Sequence, residues 1–140
     1  MTSLDKLKII LSNNGRSLTA ARIEIFNTLN NLNHPLPVSR LADKIENIDR
    51  ASVYRNIELF EKIGIVNRAW IGFKSTVELS DEFSEHHHHI TCINCAKSQK
   101  FENLKIESIL KQIAHSNGFD SKSHVVEISG YCANCSPGAK

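Results

Sequence analysis

Apolar residues in the first half of the chain recur at the spacing of helices. The first run, residues 4–11, stops at an Asn-Asn-Gly sequence and predicts a short helix. A second helix is predicted in LTAARIEIFNTL, with Thr19 as its candidate N-cap. A third, short helix is expected in residues 38–45. After the connection NIDR (47–50), a fourth helix is expected in ASVYRNIELFEKIG, ending at Gly64.

The fourth predicted helix has one apolar face and one polar face. At about 100° per residue, Ile57 and Phe60 fall on one arc, whereas Tyr54 and Arg55 fall on the opposite arc. Tyrosine can contact a thymine methyl group, and arginine can bond to guanine or to phosphate. The polar face is therefore a candidate DNA-reading surface, although an exposed Tyr-Arg pair is also common on ordinary helices.

A β-hairpin is predicted directly after the fourth helix. The run IVNRAWIGFKSTVEL contains two β-rich segments on either side of Gly72. Three helices followed by a hairpin are typical of a winged helix-turn-helix. In that arrangement Arg68 and Lys74 would approach a polyanion.

The pattern changes after residue 80 to short strands around one helix. The expected elements are strands at 86–93 and 97–102, an amphipathic helix at 104–118 and a last strand at 124–131. So small a sheet leaves strand edges and apolar surface uncovered, which favours dimerisation. The predicted fold class is α+β, with an N-terminal winged helix-turn-helix domain in 1–80 and a small C-terminal α/β dimerisation domain in 81–140.

Charge and composition divide the chain at the same place. Residues 1–80 hold 11 Lys and Arg against 8 Asp and Glu, or +3, whereas residues 81–140 hold 6 against 7, or −1. All six arginines lie in the first part, and all four cysteines and six of the seven histidines lie in the second. The first part suits phosphates and the second suits metal ions. Without an apolar run of about 18 residues or a signal-peptide pattern, we expect a cytoplasmic protein that does not contact membranes.

Two Cys-x-x-Cys pairs are the strongest motif in the sequence. They comprise Cys92, Cys95, Cys132 and Cys135. Four thiolates complete the tetrahedral shell that a structural Zn²⁺ prefers, so one ion would clamp both ends of the second domain. The alternative is a pair of redox or disulfide-forming motifs, which a reducing compartment disfavours.

Four consecutive histidines precede the first of these cysteines. On a strand their side chains alternate, so His86 and His88 share one face and His87 and His89 share the other. Each pair is half of a metal site and needs further ligands. Candidates for those ligands are His34, Glu78, Glu107 and His124. The alternatives are a solvated polar strand and an internal affinity tag.

The motifs LTAARIEIFNTL, ASVYRNIELFEKIGIV, HHHHITCINC and YCANC, in this order and spacing, resemble those of the ferric-uptake regulator family of bacterial metal-responsive repressors. The resemblance covers nearly the whole chain. It implies a winged-helix DNA-binding domain, a hinge and a C-terminal dimerisation domain. It further implies a homodimer that binds palindromic double-stranded operators near metal-uptake or stress genes, and no enzymatic activity.

The resemblance also assigns roles to individual residues. The implied structural zinc ligands are Cys92, Cys95, Cys132 and Cys135. The implied hinge ligands, which would hold the regulatory metal, are His34, Glu78, His87 and His89, and those of a second metal site are His86, His88, Glu107 and His124. The implied DNA-binding residues are Arg22, Ser52, Tyr54 and Arg55. The implied cofactors are a structural Zn²⁺ and a regulatory divalent ion, Zn²⁺ or Fe²⁺, with Mn²⁺ as a further candidate.

The sequence departs from the family pattern at several positions. Lys100 stands where members often supply an acidic hinge ligand, and His88 stands where iron-type members usually carry Asp. The second change makes that site richer in nitrogen, which favours zinc or another borderline metal. Ala20 and Ser17 also differ from common residues near the DNA contacts. These changes affect the contacts and not the fold.

Two other classes of protein also use such cysteines. A zinc deaminase needs a His-x-Glu and a proline before the first Cys, but Thr91 and Tyr131 precede these pairs. A zinc-stabilised protein-interaction module would bind one ion and ignore DNA. We expect instead that metal binding at the hinge orients the two DNA-binding domains of a dimer, through about 1–3 kcal/mol of coupling.

Overall fold

A computed structural model describes residues 1–32, 34–71 and 74–136 of the chain. It contains two compact units, one from Met1 to Glu85 and one that begins at His86. The division therefore falls later than the boundary expected at residue 80. The aromatic ring of Phe83 packs edge-on against Phe26, with ring centroids 4.9 Å apart. This contact ties the segment after the hairpin to the N-terminal core.

The N-terminal unit has four helices and a hairpin. Its elements are α1 (Ser3–Asn13), α2 (Ala20–Asn30), α3 (Val38–Lys44), α4 (Arg50–Lys62), β1 (Val66–Ile71) and β2 (Lys74–Leu79). The two strands pair antiparallel, from Val66 opposite Leu79 to Ile71 opposite Lys74. The predicted turn at Gly72 lies outside the described residues. Arg50, which we expected in the connection before α4, is instead the first residue of that helix.

Local hydrogen bonds explain where the helices begin and end. As predicted, the Thr19 side chain caps α2, accepting a hydrogen bond from the backbone N–H of Arg22 at 3.2 Å. The carboxylate of Asp49 caps α4 by accepting from the N–H of Ser52 at 3.1 Å. Gly64 follows α4 with φ +84°, a conformation that glycine adopts without a steric penalty. These residues fix the start and the end of the helix that carries Tyr54.

The core of the N-terminal unit is built from the predicted apolar faces. Its largest fully buried side chains include Leu7, Ile25, Phe26, Leu41, Ile57 and Phe60. The buried arc of α4 comprises Val53, Ile57 and Phe60, each at most 1% exposed. Packing of this arc leaves the polar arc of α4 on the surface.

The C-terminal unit is a three-stranded sheet with one helix. Its elements are β3 (His88–Cys92), β4 (Ser98–Phe101), α5 (Leu104–Ser116) and β5 (Glu127–Gly130). The central strand β3 pairs antiparallel with β4 and parallel with β5. Both outer strands are shorter than the predicted ones. β3 and β5 start pairing at His89 opposite Glu127, so His86, His87 and His124 lie before the strands and not on them.

Helix α5 leaves much of its apolar surface uncovered. The side chain of Asn103 caps it, accepting from the N–H groups of Lys105 and Ile106. Within the described chain no residue of α5 is buried, and Ile109 and Ile113 are 52% and 54% exposed. Among the described residues, no helix has the length and apolar character needed to cross a bilayer. The class predicted from the sequence, α+β, agrees with this architecture.

Candidate metal sites and DNA-binding face

The four cysteines converge at one end of the C-terminal sheet. Cys92 is the last residue of β3, and its ladder partner on the parallel strand β5 is Gly130. The backbone N–H of Ile93 donates to the Gly130 carbonyl at 2.7 Å, which extends this pairing into the turns. Each strand therefore leads directly into a Cys-x-x-Cys turn on the same side. All four sulfur atoms lie within 4.8 Å of one another.

The protonation of these thiols fits a site for a cation. Backbone N–H groups of Cys95 and Cys132 lower the pKa of Cys92 to about 6. The Asn94 amide favours the thiolate of Cys135, but the Cys132 sulfur and burial outweigh it and raise the pKa of Cys135 to about 11. A divalent ion would stabilise all four thiolates, as structural zinc sites require.

Sequence reasoning missed the asparagine that precedes the second cysteine of each pair. The Asn94 side chain donates from Nδ2 to the Sγ of Cys135 at 3.3 Å, linking the two motifs. Asn134 occupies the same place in the second motif, and its backbone helps to lower the pKa of Cys132, after the larger effect of Cys135. The repeated Cys-x-Asn-Cys pattern was the available signal. Such donors orient metal ligands and tune their charge.

A second cluster surrounds the carboxylate of Glu107, in the first turn of α5. The Nε2 atom of His88 lies 2.5 Å from Oε1, and the Nε2 atom of His124 lies 2.6 Å from Oε2. The Nε2 atom of His86 lies 3.3 Å from Oε2 and 3.0 Å from Nε2 of His124. These are the four residues that the resemblance groups into a second metal site, and the structure brings them together.

The chemistry of this cluster also suits a cation. The pKa of Glu107 is lowered chiefly by its hydrogen bond with His88, with further contributions from the nearby charges of His124 and His86. Three imidazole nitrogens and one carboxylate are a donor set that zinc and other borderline divalent metals accept. His88 is only 3% exposed, so an ion held here would be largely shielded from water on that side.

The expected hinge ligands are distributed over both units. The rings of His87 and His89, which we expected to share a half-site, lie 4.9 Å apart and nearly perpendicular. In the N-terminal unit, Leu36 and Val77 form an antiparallel bridge that places the segment of His34 beside the strand of Glu78. The Nδ1 atom of His34 lies 3.0 Å from the carbonyl oxygen of Pro35.

The candidate DNA-reading residues lie near the start of α4. Tyr54 is 42% exposed, and Arg55 is exposed beside it. The Ser52 hydroxyl donates to the Asp49 carboxylate at 2.7 Å and accepts from the Arg55 guanidinium at 3.0 Å. This chain of hydrogen bonds holds the Arg55 side chain at the helix N-terminus. Ser52 thus orients Arg55, in addition to any contact of its own.

Arg22 lies in a different environment from Tyr54 and Arg55. Its Nε donates to the Asn56 side chain at 3.0 Å and its Nη1 to the Ser17 carbonyl at 2.7 Å. Asn56 in turn donates to the Ser52 carbonyl at 2.9 Å. Two of the three guanidinium nitrogens of Arg22 therefore brace α4 against the segment before α2. Sequence reasoning missed Asn56, because its partner lies 34 residues away.

These features define a class of protein. A winged-helix unit with an exposed polar helix face is joined to a unit that carries two clusters of metal-ligating side chains. This combination is that of metal-responsive transcription regulators that bind DNA.

Comparison with known proteins identifies the family. The sequence model of the Ferric uptake regulator family matches residues 13–129. The ferric uptake regulation protein of Yersinia pestis is 35% identical over 133 residues, covering 89% of this chain and 88% of its own. The crystal structure of the Vibrio cholerae ferric uptake regulator has a TM-score of 0.72 at 29% identity, over 87% of this chain and 96% of that one. The structure of the Francisella tularensis regulator with iron has a TM-score of 0.68 at 31% identity, over 86% and 95%.

The chain belongs to the ferric uptake regulator family. Its members are metal-responsive DNA-binding transcriptional regulators and not enzymes, which confirms the predicted class, its fold and its dependence on metal cofactors. The assignment of individual ligands and DNA contacts stays a prediction.

Proposed function

We propose that this regulator is a homodimeric repressor whose binding to a palindromic double-stranded operator depends on a divalent metal. The observation that carries the proposal is the convergence of three imidazoles on the Glu107 carboxylate, within 3.3 Å. The apolar side chains left uncovered on the C-terminal unit would be buried by a second copy, as dimeric members of this family require. The protein would act in the cytoplasm, where its operator is.

Two kinds of metal site follow from the donor atoms. The four cysteines would hold a Zn²⁺ permanently, because a closed thiolate shell binds zinc tightly and has no open position. The cluster of His86, His88, Glu107 and His124 would hold an exchangeable ion. Its nitrogen-rich set favours Zn²⁺ over Mn²⁺, and Fe²⁺ remains a candidate because the similar Francisella protein was solved with iron.

The hinge ligands would complete the switch. We expect His87 and His89 to share an ion with Glu78 and His34, which belong to the other unit. An ion held by both units restricts their relative orientation, and thereby the spacing of the two α4 helices in a dimer. Metal can change DNA affinity only by binding one orientation better than the other, typically by about 1–3 kcal/mol.

Removal of exchangeable metal should abolish operator binding. After chelation of the purified protein, we expect a gel shift on a duplex selected from a randomised library to disappear, and to return with added Zn²⁺ or Fe²⁺. The reason is that the metal-free protein lacks the constraint that favours the DNA-binding orientation. A shift of equal strength before and after chelation, confirmed by elemental analysis, would show that binding does not depend on metal.

Lys100 is expected to weaken the hinge site. It pairs with His89 across β3 and β4, so the two side chains share a face of the sheet. Changing Lys100→Glu removes a positive charge and adds a carboxylate near the ion, which should raise metal affinity about tenfold or more. Isothermal titration of a variant that also carries Glu107→Gln would isolate this site.

Lys100→Gln is the matched control for this substitution, because it removes the charge without supplying a ligand. It should give a smaller increase than Lys100→Glu. Equal affinities in all three proteins would show that position 100 does not face the ion.

A further inference from the structure

The hairpin carries an exposed tryptophan that the predicted DNA contacts do not include. Trp70, the only tryptophan in the sequence, lies on β1 and is 60% exposed. Tryptophan is buried to a high degree in most proteins, and an exposed one often marks a contact surface. Within the described residues, the hydrophobic core of the N-terminal unit does not include Trp70.

The ladder between β1 and β2 fixes the direction of this side chain. Arg68 and Trp70 are two residues apart on β1 and share a face, together with Ser75, the partner of Trp70. The Arg68 side chain donates from Nε to the Glu61 carboxylate on α4 at 2.9 Å, and from Nη1 to the Ser75 hydroxyl. The face that carries Trp70 is therefore the one turned toward α4. Trp70 lies about 7 Å beyond Arg68, toward the turn of the hairpin.

A surface cleft lies between the start of α3, α4 and the hairpin. Its volume is about 250 Å³, and its lining includes Tyr54, Glu58, Arg68 and Ser75. An α-helix with its side chains is about 10–12 Å across and fills the major groove, which is about 12 Å wide. A hairpin beside such a helix consequently meets the sugar–phosphate backbone at the edge of the groove.

Ion pairing within the protein reduces the positive charge that the hairpin can present to DNA. The Arg68 side chain, which we expect to approach a polyanion, forms an ion pair with the Glu61 carboxylate. Lys74 is exposed at the start of β2, next to Ser75. The described part of the hairpin thus offers an exposed cation, Lys74, and a large aromatic ring, Trp70.

We propose that Trp70 contacts the DNA backbone beside the groove that α4 enters. The ring packs on a deoxyribose, and the indole N–H, which can only donate, bonds to a phosphate oxygen. This contact adds affinity without reading sequence, and it positions α4 in the groove. The inference rests on the DNA-binding function proposed above.

The single tryptophan reports directly on this contact. Metal-loaded full-length protein is titrated with a fluorophore-labelled duplex that it has selected from a randomised library. Anisotropy of the label measures binding, and tryptophan emission measures the surroundings of Trp70. We expect the emission to change and to saturate with the anisotropy. Binding with unchanged emission would overturn the inference alone, whereas no binding in any metal state would overturn the proposed function as well.

Variants separate this contact from a structural role. Trp70→Ala should weaken DNA binding about tenfold, and Trp70→Phe, which keeps a ring but not the N–H, should weaken it less. Because indole is uncharged, Trp70→Ala should leave the salt dependence of binding unchanged. Lys74→Ala should lower the slope of log K against log[salt] by about 0.9 if it contacts one phosphate. Unchanged affinity in Trp70→Ala, or a loss matched by lower metal affinity and lower thermal stability, would refute the contact.

Discussion

Replacing Cys92 with serine is expected to eliminate tightly bound zinc and to unfold the C-terminal unit, while the N-terminal unit stays folded. The core cluster of buried apolar side chains in the described chain lies in the N-terminal unit. The buried residues described in the C-terminal unit are His88, His89, Thr91 and Cys92. A unit with so little apolar burial depends on its metal ion, which in structural sites contributes on the order of 10 kcal/mol.

The measurements are zinc per chain by elemental analysis and thermal unfolding by circular dichroism. The variant should contain less zinc per chain than the wild-type protein. It should also lose the thermal unfolding transition of the C-terminal unit. Asn94→Ala is the matched control, because it keeps four thiolates and removes only the amide donor to Cys135. It should retain zinc with affinity lowered about tenfold. A Cys92→Ser protein with full zinc content would disprove the four-cysteine site.

Substitution of Glu107 by glutamine is expected to lower affinity for the exchangeable metal at least about 100-fold, since changes outside the ligand shell already cost about 10–100-fold. Glutamine keeps the size of the side chain but removes the charge at the centre of His86, His88 and His124. Competition with a chelator of known affinity measures the change. The metal concentration needed for half-maximal DNA binding should rise by the same factor.

His115→Gln serves as the control on the same helix, because His115 is exposed at the end of α5. It should bind metal and DNA as the unmodified chain does. If Glu107→Gln bound metal with wild-type affinity, the Glu107 carboxylate would be a hydrogen-bond partner of the histidines and not a metal ligand. In that case its effect would be on stability. Because the pKa of Glu107 is lowered, the contribution of its carboxylate to stability would be complete at pH values above the ordinary carboxyl range. That contribution would be lost as the pH falls through the lowered pKa.

The sequence predicts the N-terminal unit well because its signals are local. Helical periodicity identifies the buried arc of α4, and the Thr19 cap and Gly64 depend on their immediate neighbours. The cysteine pairs and the alternation of the histidine run are also local patterns. Each of these patterns can therefore be recognised without knowledge of the tertiary structure.

Features that depend on distant partners could not be predicted in the same way. The start of β5 is set by pairing between His89 and Glu127, far apart in sequence. The hydrogen bond from Arg22 to Asn56 and the ion pair of Arg68 with Glu61 give partners within the protein to two arginines that are also candidates for DNA contacts. Glu107 and His124 were among the candidate partners of the histidine run, but only the resemblance to a family assigned them to His86 and His88.

One strand, β3, carries a residue of each of the two candidate metal sites. His88 is its first residue and Cys92 its last, so the two sites sit about 13 Å apart on one stretch of backbone. A zinc ion held by the four cysteines would keep β3 in register with β5, and the pairing of these strands brings His88 and His124 together beside Glu107. If the four cysteines hold zinc as proposed, we therefore expect the second site to form only in a zinc-loaded chain. A chain starved of zinc would then fail to respond to the second metal at any concentration of that metal.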